Sequence, residues 1–202
     1  QAARIKYSGE APKLRDMILA STDIMGGLAT KVAPVANFAL GLKPTKVVMD
    51  AVLKVDKHRT FPKYASRTFE SWYKKNVKAF QDTFKHHVSF FHGCYVNYNY
   101  PQLGKDLVSV MNALGYGVHM LENEKCCGTA LISNCMIDQA KKNAVNNVES
   151  IRKSVYERQM PVIGTSSSCN FTIRDEYPHL LGIDNSDVRD YIELATRFIY
   201  RL

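Results

Sequence analysis

The chain has 202 residues, of which 46% are hydrophobic and 23% are charged. This composition is typical of one or two globular domains with a hydrophobic core, and it excludes a disordered or fibrous protein. The net charge of +8 lies in residues 1–84, with 15 Lys and Arg against 7 Asp and Glu, whereas residues 85–202 hold 12 of each. A basic segment favours an acidic protein partner, an anionic lipid surface or nucleic acid. Because its basic residues are dispersed and form no recognition motif, we expect no nucleic acid partner.

Residues 1–84 are predicted to be mainly helical, with no sheet of their own. Pro12 and Pro44 suit the first turns of helices, and Gly26-Gly27 is predicted to end the first helix. Pro62 marks a loop over residues 57–63. We interpret this part of the chain as a basic linker or docking segment. The predicted helices are residues 12–25, 28–42, 44–53 and 68–80.

Residues 85–202 are predicted to form one α/β domain. Short apolar runs, typical of buried strands, occur at residues 88–91, 118–121 and 161–164. Helical patterns alternate with them, and this order favours a parallel sheet with crossover helices. The predicted helices are residues 101–114, 130–158 (with a break near 133–134) and 187–200.

Four cysteines follow the three predicted strands. Cys94 follows the first strand, the pair Cys126 and Cys127 follows the second, and Cys169 follows the third. Carboxyl ends of parallel strands meet at one edge of a sheet, so we expect the four thiols to lie together. Converging thiolates are the ligands of iron–sulfur clusters and of zinc. The sequence therefore predicts a metal centre at this edge.

Other features of the sequence bear on this interpretation. Residues 1–6 contain no apolar run of a signal peptide, so we expect a reducing, intracellular compartment, where clustered cysteines favour metal over disulfide. Cys135 falls inside the predicted helix 130–158 and is expected to pack in the core, apart from the other four cysteines. His92 is close enough to ligate, but a hydrogen-bonding or packing role is favoured over ligation.

The layout of the cysteines resembles the CCG cysteine-rich domain family. Cys94 and Cys126 are separated by 31 residues, Gly128 follows the cysteine pair, and 38 residues separate Cys127 from Ser166. Further stretches resemble the family of C subunits of anaerobic glycerol-3-phosphate dehydrogenases. These stretches are HRTFPKY, FHGCYVNYNYPQLGKDL, EKCCG, NVESIR, TSSSCNF, RDEYP and YIELATR.

The resemblance implies ligand roles for Cys94, Cys126, Cys127 and Cys169, and one departure from the pattern. The family ends on Cys-x-x-Cys, whereas this chain has Ser166 in place of the first of those cysteines. A complete site of the family can hold a noncubane 4Fe–4S cluster with five cysteines. Four outcomes stay open: a cluster with Ser166 or water as the odd ligand, a smaller cluster, zinc, or a degenerate empty site.

The same resemblance implies an electron-transfer role. In this family electrons pass from a flavin-containing catalytic subunit through iron–sulfur centres toward membrane quinone. We therefore expect a cytoplasmic protein at the inner face of the membrane, in contact with anionic lipid, and a piece holding a linker and the first of two CCG domains. No flavin site is expected, and the chain is not expected to turn over substrate alone. The alternative is a structural or interaction module whose cysteine site holds zinc or nothing.

Overall fold

A computed structural model of the protein describes residues 13–202, and its centre is a four-stranded parallel sheet. The strands are His86–Phe91 (β1), Tyr116–Met120 (β2), Val162–Gly164 (β3) and Ile192–Leu194 (β4). Their order across the sheet is β2-β1-β3-β4, and all neighbours pair in parallel. The predicted α/β fold with crossover helices is confirmed.

Helices cover both faces of the sheet and precede it. Within residues 13–202, no helix combines the length and apolar character needed to cross a bilayer. The α-helices are Leu14–Ala20 (α1), Thr22–Lys31 (α2), Ala33–Gly41 (α3), Lys43–Leu53 (α4), Phe69–Asn76 (α5), Lys78–Gln81 (α6), Gly93–Tyr98 (α7), Pro101–Ala113 (α8), Thr129–Ser133 (α9), Ile137–Arg152 (α10), Ser167–Phe171 (α11) and Ala195–Tyr200 (α12). Two π-helical segments, Lys153–Glu157 and Thr172–Leu181, extend α10 and α11.

Alternation along β1 builds a core on each face of the sheet. Val88 and Phe90 are fully buried on one face, against α5, α8 and α12. Phe91 points to the other face, where it joins apolar residues of α9 and α10. Because successive strand residues point to opposite faces, a strand covered on both sides needs apolar residues throughout. This explains why three of the residues 88–91 are apolar, and the fourth, Ser89, is buried and accepts a hydrogen bond from the Ser154 hydroxyl at 2.7 Å.

Helix α5 belongs to the core of the sheet, although it lies in the basic part of the chain. Phe69 is 0% exposed and stacks edge-on against Phe90, with ring centroids 5.6 Å apart. Thr68 caps the helix by accepting a hydrogen bond from the Ser71 N–H. The proposed domain boundary at residue 84 stays a prediction. Helix α5 lies before that boundary in the sequence but packs on the sheet that follows it.

Side chains of the same region cover the edge of strand β2. The Tyr73 hydroxyl donates to the Val118 carbonyl at 2.6 Å, and the Gln81 side-chain oxygen accepts from the Val118 N–H at 2.8 Å. Burial raises the pKa of Tyr73 to about 12, so the hydroxyl keeps its proton. The exposed edge of a strand can pair with another chain. Here these two side chains satisfy the carbonyl and the N–H of Val118 at the edge of β2.

Several predicted helix boundaries are wrong, since helices end at Ala20 and Lys31 inside the predicted helices 12–25 and 28–42. Two further errors have a clear physical reason. Gly26 does not end a helix but lies inside α2, because its lack of a side chain makes room for Tyr98: a Cβ there would lie 2.4 Å from the Tyr98 ring. The helix predicted over 187–200 begins only at Ala195, because Ile192 pairs with Val162 and starts β4. Pro12, predicted to open the first helix, lies outside the described residues.

Candidate functional site

The four cysteines follow the carboxyl ends of three strands and meet in two pairs. Cys94 lies at the start of α7, just after β1, and its sulfur is 3.9 Å from that of Cys126. The sulfurs of Cys127 and Cys169 lie 3.3 Å apart. Cys126 and Cys127 are buried, and the other two are partly buried. The fold therefore brings together thiols that lie far apart in sequence.

The close sulfur–sulfur contacts of the site form two pairs, Cys94 with Cys126 and Cys127 with Cys169. Across the described residues, no group of three His, Cys, Asp or Glu side chains is placed to hold a single metal ion. The two pairs are joined through the adjacent residues Cys126 and Cys127. Each pair presents its sulfurs within reach of one metal atom, given metal–sulfur bonds of about 2.3 Å.

Two glycines in left-handed conformations shape the backbone around the sulfurs. Gly93 has φ +70°, and a Cβ on it would lie 3.5 Å from the Cys169 sulfur. Gly128 has φ +92° and starts α9 directly after the cysteine pair. A side chain at either position would be strained, so glycine is required where the chain turns next to the thiols.

Buried amides of α10 hold the main chain of the cysteine pair. The Asn147 side chain accepts from the Lys125 N–H at 2.9 Å and lies 3.1 Å from the Lys125 carbonyl. Asn143 donates to the Cys126 carbonyl at 3.1 Å. The Tyr177 hydroxyl donates to the Cys127 carbonyl at 2.9 Å and also lies 3.0 Å from Asn147. This network fixes the backbone that carries both sulfurs.

A buried carboxylate ties the β1 and β2 loops together. Glu124 accepts from the Gly93 N–H at 2.7 Å and from the His92 N–H at 3.2 Å. Burial raises the pKa of Glu124 to about 7, and His92 opposes that rise. His92 lies 3.2 Å from the carboxylate and stacks against Phe69. In this structure His92 therefore has hydrogen-bonding and packing contacts.

Helix α2 also contacts the cysteine pair. Asp23 accepts a hydrogen bond from the Cys126 N–H at 2.9 Å, and the Thr22 hydroxyl lies 3.4 Å from the Cys126 sulfur. Burial raises the pKa of Asp23. On the other side, the Thr129 hydroxyl lies 3.2 Å from the Cys127 sulfur. Hydroxyl groups at this distance are able to donate hydrogen bonds to thiolates.

The thiols influence one another's protonation. Contacts with Cys127 and Cys94 lower the pKa of the Cys126 thiol, and contact with Cys127 lowers that of Cys169. The pKa values of Cys94 and Cys127 are raised, first of all by their contacts with Cys126. Thiolate character therefore falls on one sulfur of each pair, which is the form that binds metal.

A polar cleft gives access to one sulfur pair. The cleft has a volume of about 710 Å³, and Cys94 and Cys126 form part of its wall. Lys74, Lys78 and Arg158 line the same cleft. The Cys94–Cys126 pair thus lies next to open space, while Cys127 is buried beneath α9 and α10.

Comparison with known proteins identifies the domain that carries these cysteines. Residues 88–174 match the sequence model of the cysteine-rich domain family named CCG. We refer to residues 88–174, which match this family, as the CCG domain. The CCG match includes all four cysteines and ends within the π-helical segment after α11.

The relatives of this chain carry related names. It is 53% identical over 201 residues to the C subunit of anaerobic glycerol-3-phosphate dehydrogenase from Escherichia coli, covering 100% of this chain and 50% of that protein. Over 109 residues it is 29% identical to an uncharacterized iron-sulfur protein of Methanocaldococcus jannaschii (54% of this chain, 21% of that protein). Over 97 residues it is 33% identical to lactate utilization protein A of Bacillus subtilis (48% and 38%). No solved structure matches the chain significantly.

Ser166 and Cys135 are two further residues of the CCG domain that the sequence singles out. Ser166 caps α11: its hydroxyl accepts from the Cys169 N–H at 3.4 Å and lies 3.0 Å from the Ser168 hydroxyl. Its role as a ligand stays a prediction. Cys135 was predicted inside a helix, and this is wrong: it lies with φ +67° in the turn that separates α9 from α10. No hydrogen bond among residues 13–202 joins its sulfur to the other four.

Changing Ser166→Cys should increase the iron that the CCG domain retains. Ser166 lies one helical turn from Cys169, so a thiol there would add a fifth cysteine beside the Cys127–Cys169 pair. We expect slower loss of iron in air after anaerobic reconstitution, measured as iron per chain over time. The Ser168→Cys variant is the matched control, because it adds a thiol at an exposed neighbouring position. Equal retention in Ser166→Cys and the unchanged chain would place Ser166 outside the coordination sphere.

Sequence reasoning missed the residues that support the cysteines. Asn143 and Asn147 carry a usable signal: they are one turn apart on the buried face of an otherwise amphipathic helix, where unpaired amides would be costly. Glu124, two residues before Cys126, carries only a weak signal. Thr22 and Asp23 carry none, because their contacts depend on how α2 packs more than 100 residues away in the sequence.

Proposed function

We propose that the CCG domain holds an iron–sulfur cluster through Cys94, Cys126, Cys127 and Cys169. The observation that supports this most strongly is the meeting of four sulfurs in two close, largely buried pairs. The donor set fits the group, because iron–sulfur clusters take cysteine thiolates as ligands and sulfur pairs joined through adjacent residues suit several metal atoms. Relatives named as iron-sulfur proteins support the same choice.

The surrounding residues would hold and adjust such a cluster. The Asn147 and Tyr177 contacts fix the main chain of the cysteine pair. The Thr22 and Thr129 hydroxyls lie close enough to donate to the sulfurs, and such bonds shift the reduction potential of a cluster. When bound, the cluster would accept and release electrons one at a time.

We further propose that the chain acts as an electron-transfer part of an anaerobic glycerol-3-phosphate dehydrogenase. It would receive electrons from a flavin-containing catalytic subunit and pass them toward membrane quinone, and its cluster could be of the 4Fe–4S type. The likeness to the C subunit from E. coli supports this role over the full length of the chain. The chain spans half the length of that relative, so the rest of the electron path would lie outside it.

This role is tested by reduction through the natural donor. Anaerobically reconstituted chain is mixed with the flavin-containing catalytic subunits of its own complex, and the visible absorption of the cluster is followed. Adding glycerol 3-phosphate should bleach this absorption only when the catalytic subunits are present. The proposed role would be contradicted if dithionite reduces the cluster but the catalytic subunits with glycerol 3-phosphate do not.

A peripheral membrane contact at the cytoplasmic face also belongs to the proposal. Apolar side chains repeat one turn apart and are exposed on α2, α3 and α4, including Leu28 at 59%, Phe38 at 70% and Val52 at 67%. Lys43 and Lys46 lie on α4 beside them, which suits anionic headgroups. Binding to vesicles containing phosphatidylglycerol should weaken as salt rises, and salt-independent or absent binding would contradict this contact.

The rival function is a structural module with zinc or nothing at the cysteines. Four thiolates suit tetrahedral zinc, in which two sulfurs at about 2.3 Å from the metal lie about 3.8 Å apart. The 3.9 Å between the sulfurs of Cys94 and Cys126 fits this spacing, whereas the 3.3 Å between those of Cys127 and Cys169 is shorter. Metal and sulfide analysis separates this rival from the proposed cluster, because zinc sites contain no inorganic sulfide.

A further inference from the structure

The segment between α4 and α5, residues 54–68, forms an exposed basic surface that we name the basic loop. It holds six basic residues, and its single carboxylate, Asp56, accepts a hydrogen bond from the loop's own His58 N–H at 2.6 Å. All six basic side chains are exposed. They are Lys54, Lys57, His58, Arg59, Lys63 and Arg67.

The basic loop is held in place by side chains and main chain from other elements. Asn37 of α3 clamps it on both sides of one residue: it donates to the Tyr64 carbonyl and accepts from the Tyr64 N–H, each at 2.8 Å. The Ala65 N–H donates to the Tyr98 carbonyl at 2.7 Å, and Asn99 donates to the Lys63 carbonyl at 3.1 Å. Long segments without secondary structure are uncommon in compact domains and are usually either functional or disordered. The basic loop is fixed by four hydrogen bonds, and this favours a functional role over disorder.

The basic loop borders the cysteine site. Two of its anchors, Tyr98 and Asn99, lie at the end of α7, and Cys94 lies in the first turn of the same helix. At about 1.5 Å per residue, Tyr98 is roughly 6 Å along the helix axis from Cys94. A partner seated on the loop would therefore lie beside the Cys94–Cys126 sulfur pair.

The charges of the loop are available to a partner. In the part of the chain that the structure describes, the ion pairs involve other residues, such as Arg152 with Asp187 and Arg174 with Asp190. Arg59, Lys63 and Arg67 take part in none of them. Charge that no described residue compensates, on a fixed surface, attracts an opposite surface and speeds association.

We propose that the basic loop is the docking surface for an acidic face of the electron-donating protein. This inference rests on the proposed function, because it assigns the face through which electrons reach the cysteine site. The loop combines fixed backbone positions, arginines, and the half-buried aromatic side chains of Phe61 and Tyr64. Arginine and aromatic residues are enriched in protein interfaces, whereas attraction to anionic lipid needs only charge.

The test uses charge reversal in the whole chain. The loop variant carries Arg59→Glu with Lys63→Glu, and the matched control carries Lys141→Glu with Lys142→Glu on the exposed side of α10, which changes the net charge equally. Affinity for the flavin-containing catalytic subunits is measured at low and at high salt. We expect the loop variant to bind about tenfold more weakly at low salt with a shallower salt dependence, and the control to bind within about twofold of the unchanged chain. Equal weakening of both variants, or none in the loop variant, would overturn the proposal.

A lipid arm separates the two basic surfaces. The loop variant should still bind vesicles of phosphatidylglycerol and phosphatidylcholine. A variant with Lys43→Glu and Lys46→Glu should no longer bind them. A loop variant that loses vesicle binding while keeping the catalytic subunits would overturn the proposal and assign the loop to lipid. If the chain takes up no iron yet shows the expected dependence on Arg59 and Lys63, the docking surface is supported and the proposed function is contradicted.

Discussion

The variant Cys126→Ala should retain less than about a tenth of the iron that the unchanged chain binds after anaerobic reconstitution. Cys126 connects the two sulfur pairs, since its sulfur lies 3.9 Å from that of Cys94 and its main chain continues into Cys127. Its removal leaves Cys94 without a neighbouring thiol and breaks the continuity that a cluster needs. Iron and acid-labile sulfide per chain, measured on samples reconstituted side by side, give the result.

The control for this experiment is Cys135→Ala. Cys135 lies in the turn between α9 and α10, and this variant should bind iron as the unchanged chain does. Circular dichroism of both variants should stay near that of the unchanged chain, which separates loss of ligand from loss of fold. Retention of most iron by Cys126→Ala, or equal losses in the two variants, would mean that the four-cysteine site is wrong.

The variant Asn147→Ala should lower the free energy of unfolding by about 3 kcal/mol. Asn147 is 1% exposed, and its side chain satisfies the Lys125 N–H and lies close to the Lys125 carbonyl and the Tyr177 hydroxyl. Truncation leaves the Lys125 N–H and carbonyl without their side-chain partner and removes one of two hydrogen bonds of the Tyr177 hydroxyl. Each buried group left unpaired costs about 1–3 kcal/mol. Urea unfolding of the metal-free chain under reducing conditions measures the change.

Asn146→Ala is the matched control, one residue away on α10. Asn146 donates one hydrogen bond to the Asn123 carbonyl near the surface, so its loss should cost less than about 1 kcal/mol. Similar losses for the two variants would show that the buried network does not hold the cysteine pair. We also expect Asn147→Ala, and not Asn146→Ala, to release iron faster.

The positions of the cysteines could be predicted from the sequence because they depend on local signals. Short apolar runs mark β1, β2 and β3, and the carboxyl ends of parallel strands share an edge. The rule therefore places Cys94, Cys126 and Cys169 together before any contact is known. The same rule gives no distances, so the division of the sulfurs into two pairs could not be predicted.

The missed features depend on contacts between distant parts of the chain. Ile192–Leu194 is too short to differ from a helical pattern, and only its pairing with β3 makes it a strand. Gly26 resembles a helix breaker until Tyr98 is known to pack against it. Asp23 reaches the cysteine pair only because α2 folds back on the site.

The most direct test of the central claim is the iron, acid-labile sulfide and zinc content of anaerobically prepared chain. We predict iron and sulfide in nearly equal amounts, about four of each per chain if the cluster is of the 4Fe–4S type, with visible absorption that dithionite bleaches. One zinc per chain without sulfide, or no metal after reconstitution, would contradict the proposed electron-transfer site.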